Sequence, residues 1–324
     1  MARDATSSLP PQDVSGAAPS WAAGRSLRGA SENRLGERVI RGLLMFCGLL
    51  SVATTFAIVA VLIGETARFF AEVSPIDFFT GTEWAPTFTP AKFGVLPLLV
   101  GTLQIALIAI CISIPIGLAS AIYLSMYAPE RVRSILKPAL EVLAGIPTVV
   151  YGYFALTFIT PNIVQRIFED ARVFNALSAG IAVGIMTIPM VSSLSEDAIQ
   201  AVPRSLRDGA LALGATKFEV STKVMVPAAL SGIMASIILA FSRAIGETMI
   251  VALAAGATPK FTFNPLESIQ TMTGFIVQIS LGDTPRGTLE YKTLFAVGFT
   301  LFLLTLMMNT LSLWLTSKFR EEYE

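Results

Sequence analysis

The sequence predicts an all-α membrane protein, built as a bundle of six transmembrane helices. Composition is the first reason, because 53% of the 324 residues are hydrophobic and only 14% are charged, whereas soluble domains carry about 25% charged residues. The second reason is that the apolar residues form six long runs. The third is a polar segment, 208–227, between two of those runs, which indicates a helix held outside the lipid.

Each apolar run has about the 20 residues that a helix needs to cross the hydrocarbon layer. Helices are expected because they satisfy their own backbone polar groups in lipid. The predicted spans are 40–63, 96–125, 138–160, 174–194, 228–256 and 293–316.

The spans define one transmembrane domain over 36–320, with a long polar loop at 196–227. Residues 1–35 are rich in Ser, Ala, Gly, Pro and Arg, with too little apolar surface to offset the entropy of ordering. We expect a disordered cytoplasmic tail there rather than a cleaved signal peptide, because the first apolar run is too long and starts too late. Residues 321–324 form the other cytoplasmic end.

The distribution of Lys and Arg predicts the orientation. With both termini in the cytoplasm, the inner segments hold 15 of the 23 basic residues, the outer segments hold 7, and one lies within a span. Cytoplasmic loops carry an excess of basic residues. The polar loop 196–227 is therefore expected on the cytoplasmic side.

Several kinds of chemistry are excluded. The chain has no histidine, which removes Ser-His-Asp catalysis and His-Glu-x-x-His zinc binding, and it has no Gly-x-x-x-x-Gly-Lys-Ser/Thr phosphate loop. Cys47 and Cys111 lie in apolar runs, where cysteines behave as small hydrophobes. We expect no cofactor, no metal, no nucleic-acid partner and no covalent chemistry by this chain.

Glycine and proline mark unusual points in two spans. Gly145, Pro147 and Gly152 predict a kink in the third span, used either for close helix packing or to open a cavity for a substrate. Gly180 and Gly184 predict a small-residue contact face in the fourth span.

The outer segment 64–96 is rich in aromatic side chains, namely Phe69, Phe70, Phe78, Phe79 and Trp84. Aromatic residues at such positions usually lie at the lipid headgroups. We predict interfacial anchors, with a docking face for an extracytoplasmic protein as the alternative.

Arg243 and Glu247 are the most unusual polar residues, because both lie inside the fifth predicted span. Charged side chains within a membrane usually face a bundle interior or a water-filled cavity. At an interval of four residues they are expected to share one helix face. They are either a structural ion pair or part of a substrate path.

The polar segment has a distinctive spacing. Three residues separate its opening triplet from Gly214, and nine separate Gly214 from its close; the triplet is Asp208, Gly209 and Ala210, and the close is Val224, Val226 and Pro227. This spacing resembles the EAA loop of ATP-binding-cassette (ABC) importer permeases, with Asp in place of Glu and Gly in place of the first Ala.

Further segments narrow the resemblance. Residues 93–97, 101–103, 145–152, 212–216 and 242–248 together are similar to the PstC family of phosphate-importer permeases, over about 36–320. The resemblance implies the type I ABC importer permease fold with a cytoplasmic coupling helix in 196–227. It also implies that the seven EAA-loop residues contact an ATPase and that Arg243 and Glu247 lie on the substrate path.

The same resemblance implies partners and a mechanism. The partners are a PstA-like second permease, a cytoplasmic PstB-like ATPase dimer, a periplasmic PstS-like phosphate-binding protein, phosphate and membrane lipid. The chain would be a multi-pass protein of the bacterial inner membrane working by alternating access, with ATP hydrolysed by its partner. A permease for sulfate or molybdate is the alternative within transporters, and a non-ABC channel or an intramembrane enzyme is the alternative outside them.

Overall fold

The structure of the protein, a computed structural model, describes residues 34–318. The predicted tail and the predicted end at 321–324 therefore lie outside the described residues, except for positions 34 and 35. The chain divides into two compact units, with the boundary between Ile58 and Val59. In the first unit the described residues all belong to helix α1, Arg34–Phe70, and the side chains of 36–58 are exposed.

Four helices in the described chain are long and apolar enough to cross a membrane. They are α1, α3 (Leu96–Ile122), α7 (Ala176–Ala201) and α14 (Leu289–Lys318). A π-helical turn, Tyr123–Tyr127, extends α3. These helices confirm the first, second, fourth and sixth predicted spans.

The third predicted span is two helices that meet at a corner of 85°. Helix α4 is Glu130–Ala144 and α5 is Thr148–Phe154; a π-helical stretch, Ala155–Val164, and the short α6, Gln165–Ile167, follow. Pro147 disfavours helical backbone at the residue before it, so the chain turns between Gly145 and Pro147. The predicted kink at Gly145–Pro147 is confirmed, and it is so sharp that the third span consists of two helices instead of one.

The fifth predicted span is also interrupted. Helix α8 is Arg204–Ala212, and it is followed by α9 (Lys217–Val220), a π-helical turn (Ser221–Met225), α10 (Val226–Ala228), α11 (Leu230–Ile245) and α12 (Met249–Ala254). The helices on either side of Ala229 meet at 74°. With each bent pair counted as one span, the described chain has up to six spans.

Aromatic residues of the outer segment form a core rather than anchors. Phe69 and Phe78 are fully buried and Trp84 is 3% exposed. Three elements surround them: α2 (Pro75–Thr80), a short antiparallel pair of the two-residue strands β1 (Trp84–Ala85) and β2 (Lys92–Phe93), and α13 (Met272–Leu281). The rings of Trp84 and Phe275 meet edge to face at 4.9 Å. The prediction of interfacial anchors is wrong for the three buried rings.

Helix α7 lies at the centre of the bundle against α3, and small residues allow the close approach. A Cβ at Gly180 would lie 2.6 Å from Cγ2 of Ile108, and one at Gly184 would lie 3.1 Å from the carbonyl oxygen of Ala109. These distances confirm the predicted contact face and show that α3 is its partner. A Cβ at Gly152 would meet Leu253 Cδ1 at 3.0 Å, so this glycine also serves helix packing.

Candidate coupling segment and substrate path

Residues 204–228, here called the coupling segment, form a helix, a tight turn and a second helix. Gly214 makes the turn, with φ of +87° in the left-handed region that favours glycine. Its N–H donates to the Leu211 carbonyl at 3.0 Å, and the Ala215 N–H donates to the Ala210 carbonyl at 3.2 Å. A Cβ at Gly214 would meet nothing within 4 Å. The backbone conformation, rather than lack of space, therefore requires glycine.

The second helix begins with a capping box. The Thr216 hydroxyl accepts a hydrogen bond from the Glu219 N–H at 3.3 Å, and the Glu219 carboxylate accepts one from the Thr216 N–H at 3.1 Å. Such boxes satisfy two backbone donors at a helix start. The turn at Gly214 is thus held by local contacts on both sides.

Two large apolar side chains project from this turn. Leu213 is 91% exposed and Phe218 is 68% exposed. They are the two most exposed large apolar side chains of this segment, and both lie outside the predicted spans, so lipid is not expected to cover them. Sequence reasoning missed both residues, although their position on either side of Gly214 in a polar stretch was a usable signal.

The seven predicted coupling residues divide between two surfaces. Ala210 and Val226 pack against a buried cluster around Val220 and Met225. Val224 is partly buried, and the remaining four are exposed: Asp208, Gly209, Gly214 and Pro227. The Asp208 carboxylate accepts a hydrogen bond from Arg207 Nε at 3.1 Å.

An ion-pair network joins α4 to α7 close to this segment. The Glu196 side chain is fully buried, and its Oε1 lies 2.8 Å from Arg133 Nε. Lys137 Nζ lies 3.5 Å from the other Glu196 oxygen and 2.9 Å from Asp197 Oδ1. The two cations are partly exposed, but a fully buried carboxylate is strongly unfavourable without a cationic partner. The network therefore holds α4 in register with α7.

Arg243 lies near the end of α11 and lines a cavity of about 380 Å³. Residues of α4 and α7 complete the wall: Leu140, Glu141, Ala144, Met186, Pro189, Met190, Ser193 and Leu194. Arg243 is exposed, and within the described chain no carboxylate lies within ion-pair distance of it. A guanidinium with free donors in a largely apolar cavity can bind an oxyanion.

Glu247 has a different environment. It is 7% exposed, and its Oε1 accepts hydrogen bonds from the N–H groups of Met249 at 3.1 Å and Ile250 at 3.2 Å. These contacts cap the start of α12, where a negative charge is favourable. Because α11 ends at Ile245, Arg243 and Glu247 do not lie on one continuous helix. The prediction of a shared helix face is therefore wrong.

Glu141 is the cavity residue that sequence reasoning missed. Among the described residues it is the one carboxylate in the cavity wall, together with Arg243, Ser193 and apolar residues. A single acidic residue inside the third predicted span was the available signal.

Comparison with known proteins assigns the fold to a family. The family described as "Binding-protein-dependent transport system inner membrane component" matches residues 113–321. The chain belongs to this family. It is a multi-pass inner-membrane permease of the ABC importers, similar to the PstC permeases.

Individual relatives cover most of the permease. It is 34% identical to a probable ABC transporter permease protein, YqgH, of Bacillus subtilis over 91% of this chain and 95% of that one. It is 31% identical to the phosphate transport system permease protein PstC of Xylella fastidiosa over 79% of this chain and 85% of that one. A PstC 1 protein of Mycobacterium tuberculosis is 33% identical over 72% of this chain and 79% of its own.

Solved structures agree on the fold. A bacterial ABC transporter that imports alginate matches with a TM-score of 0.61 at 16% identity, over 89% of this chain and all of that one. An inward-facing MetNI methionine ABC transporter matches with a TM-score of 0.53 at 15% identity, over 70% of this chain and 96% of that one.

Proposed function

We propose that this permease carries phosphate across the inner membrane as one of two permease subunits of an ATP-driven importer. A second, PstA-like permease would complete the path, and a PstS-like periplasmic protein would deliver phosphate. A PstB-like ATPase dimer would supply the energy. The similarity to PstC proteins over more than 70% of the chain supports phosphate as the substrate.

The observation that carries the coupling role is the exposed turn at Gly214 with Leu213 and Phe218. An exposed helix end with apolar side chains suits a groove on a soluble partner. Closure of the ATPase dimer would push on this turn. Because Ala210 and Val226 pack against the bundle, the push would be passed to α11 and its Arg243.

Arg243 would bind the phosphate that enters the cavity. Its planar fork can donate two parallel hydrogen bonds to an oxyanion, which Lys cannot do. Glu247 would act indirectly, by holding the chain between α11 and α12.

Uptake of labelled phosphate tests the proposal. The complete importer is expressed in cells that lack other phosphate transporters, and the initial uptake of ³²P-phosphate and ³⁵S-sulfate is measured. We expect phosphate uptake that depends on this chain and on the ATPase. Uptake of sulfate without phosphate would reject phosphate as the substrate.

The orientation of the permease is a separate expectation. A reporter fused after Glu324 should be cytoplasmic and one inserted near Thr82 should be extracytoplasmic, because the basic residues favour that arrangement. Alkaline phosphatase and green fluorescent protein fusions provide the two readouts. Finding both sites on the same side would contradict a six-span topology.

A further inference from the structure

The cavity beside Arg243 holds two opposite charges that are not paired with each other. Arg243 and Glu141 both line its wall. Among the described residues, neither side chain has an ion pair or a side-chain hydrogen bond. Both residues are exposed, so a free guanidinium and a free carboxylate in one cavity wall offer a donor and an acceptor to a ligand.

The position of Glu141 is fixed by the helix that carries it. Arg133, Lys137 and Glu141 follow one another at intervals of four residues, so they lie along one face of α4. The first two contact Glu196 and Asp197 of α7. This face is therefore turned toward α7. Lys137 and Arg133, which pair with α7, lie one and two helical turns before Glu141.

The chemistry of the two groups defines what the cavity can bind. A guanidinium only donates hydrogen bonds and an ionised carboxylate only accepts them. A ligand that satisfies both must carry acceptor oxygens and also an O–H. Hydrogen phosphate has both at neutral pH, whereas sulfate has acceptors alone.

We propose that Glu141 is a specificity-determining residue that selects an oxyanion carrying a proton, an inference that rests on the proposed phosphate path. Its carboxylate accepts the hydrogen bond of the phosphate O–H while Arg243 binds the ionised oxygens. Sulfate in the same place sets an unprotonated oxygen against the carboxylate, and such a like-charge contact rejects the wrong ligand. The Ser193 hydroxyl can donate to either anion and does not discriminate.

The test uses the assembled complex of both permeases and the ATPase, without the binding protein, in lipid nanodiscs. Phosphate, arsenate and sulfate are titrated separately at constant ionic strength, and the melting temperature of the complex is followed. We expect phosphate and arsenate to stabilise the complex at concentrations roughly 10- to 100-fold lower than sulfate. This ratio is what one additional hydrogen bond to a charged group contributes to binding.

Glu141→Gln is the decisive variant, because the amide keeps the size of the side chain and can donate to sulfate. In this variant, we expect the concentrations of phosphate and of sulfate that stabilise the complex to lie within about twofold of each other. Glu141→Asp, which retains a carboxylate, should keep the preference. Glu130→Gln is the matched control, because Glu130 is an exposed carboxylate on the same helix outside the cavity, and it should behave as wild type.

Two outcomes overturn the inference. One is a wild-type complex that responds equally to phosphate and sulfate, and the other is a Glu141→Gln complex that keeps the wild-type preference. If Glu141→Gln does not assemble, Glu141→Ala gives the same comparison. Uptake of ³²P-phosphate by the wild-type importer judges the proposed function separately, so phosphate uptake with an unchanged preference in Glu141→Gln rejects only the role of Glu141.

Discussion

The coupling segment and the cavity at Arg243 are built in opposite ways. The coupling segment is continuous in sequence, and local contacts hold its turn: a left-handed glycine, two backbone hydrogen bonds and a capping box. The cavity is assembled from α4, α7 and α11, which are separated in the chain by tens of residues. A surface element can thus be recognised from spacing alone, whereas a cavity depends on how distant helices pack.

Arg243→Gln should have the largest effect, because the cavity then has no cation. Loss of a hydrogen bond to a charged group costs about 1.5–3 kcal/mol, so we expect phosphate uptake to fall at least about tenfold. Arg243→Lys should be intermediate, since Lys keeps the charge without the fork. Arg166→Gln, at an exposed arginine outside the cavity, is the control. Normal uptake by Arg243→Gln would remove the cavity from the path.

Gly214→Val tests whether the turn itself transmits the motion. A β-branched residue in the left-handed region costs on the order of 1–2 kcal/mol, so the turn should rearrange. We expect severalfold lower uptake, with ATP hydrolysis no longer stimulated by the loaded binding protein. Gly287→Val is the matched control, because Gly287 has the same φ of +87° and open space around it. Equal transport defects in both variants would indicate general instability instead of lost coupling.

Leu213→Ser tests the docking surface without disturbing the fold. Leu213 is 91% exposed, so its truncation should not change the stability of the permease. If the side chain enters a groove on the ATPase, its loss should weaken association by roughly tenfold, about 1–2 kcal/mol. Co-purification of the ATPase at graded salt measures this. Leu281→Ser, at the last residue of α13, where the leucine is 83% exposed, should leave the association unchanged.

Glu247→Gln should have the smallest effect. The amide oxygen can still accept the N–H groups of Met249 and Ile250, so only the interaction of the charge with the start of α12 is lost, about 0.3–1 kcal/mol. We expect near-normal uptake and a slightly lower melting temperature. The effects of Arg243→Gln and Glu247→Gln should add in the double variant, since the two charges are not paired. A strong uptake defect in Glu247→Gln alone would instead place its carboxylate on the substrate path.

The fold was predictable where helices are long and uninterrupted. Four of the six apolar runs are continuous helices in the structure, because their length and composition leave the backbone no other way to satisfy its polar groups in lipid. The other two runs are bent: the third at Gly145–Pro147, by 85°, and the fifth at Ala229, by 74°, with a second interruption at Gly246. Proline and glycine indicate that a helix is interrupted there, but the size of the bend depends on what the next segment packs against.

The outer aromatic residues show the same limit. Their composition is equally compatible with lipid anchors and with a small core, and only the packing of Trp84 against Phe275, nearly two hundred residues later, decides for the core. Glu247 is a similar case. An acidic residue four positions after an arginine suggests an ion pair on one helix, but α11 ends between the two residues.

The membrane class, most of the spans and the helix–turn–helix of 204–228 follow from the sequence, since hydropathy and turn chemistry act over short stretches of chain. Only the tertiary structure brings Glu141 and Arg243 into the wall of one cavity, because the chain turns sharply after α4, at Gly145, and Glu196 holds α4 against α7. A cavity is shaped by contacts between residues far apart in sequence, and local sequence patterns do not predict which of these side chains come together.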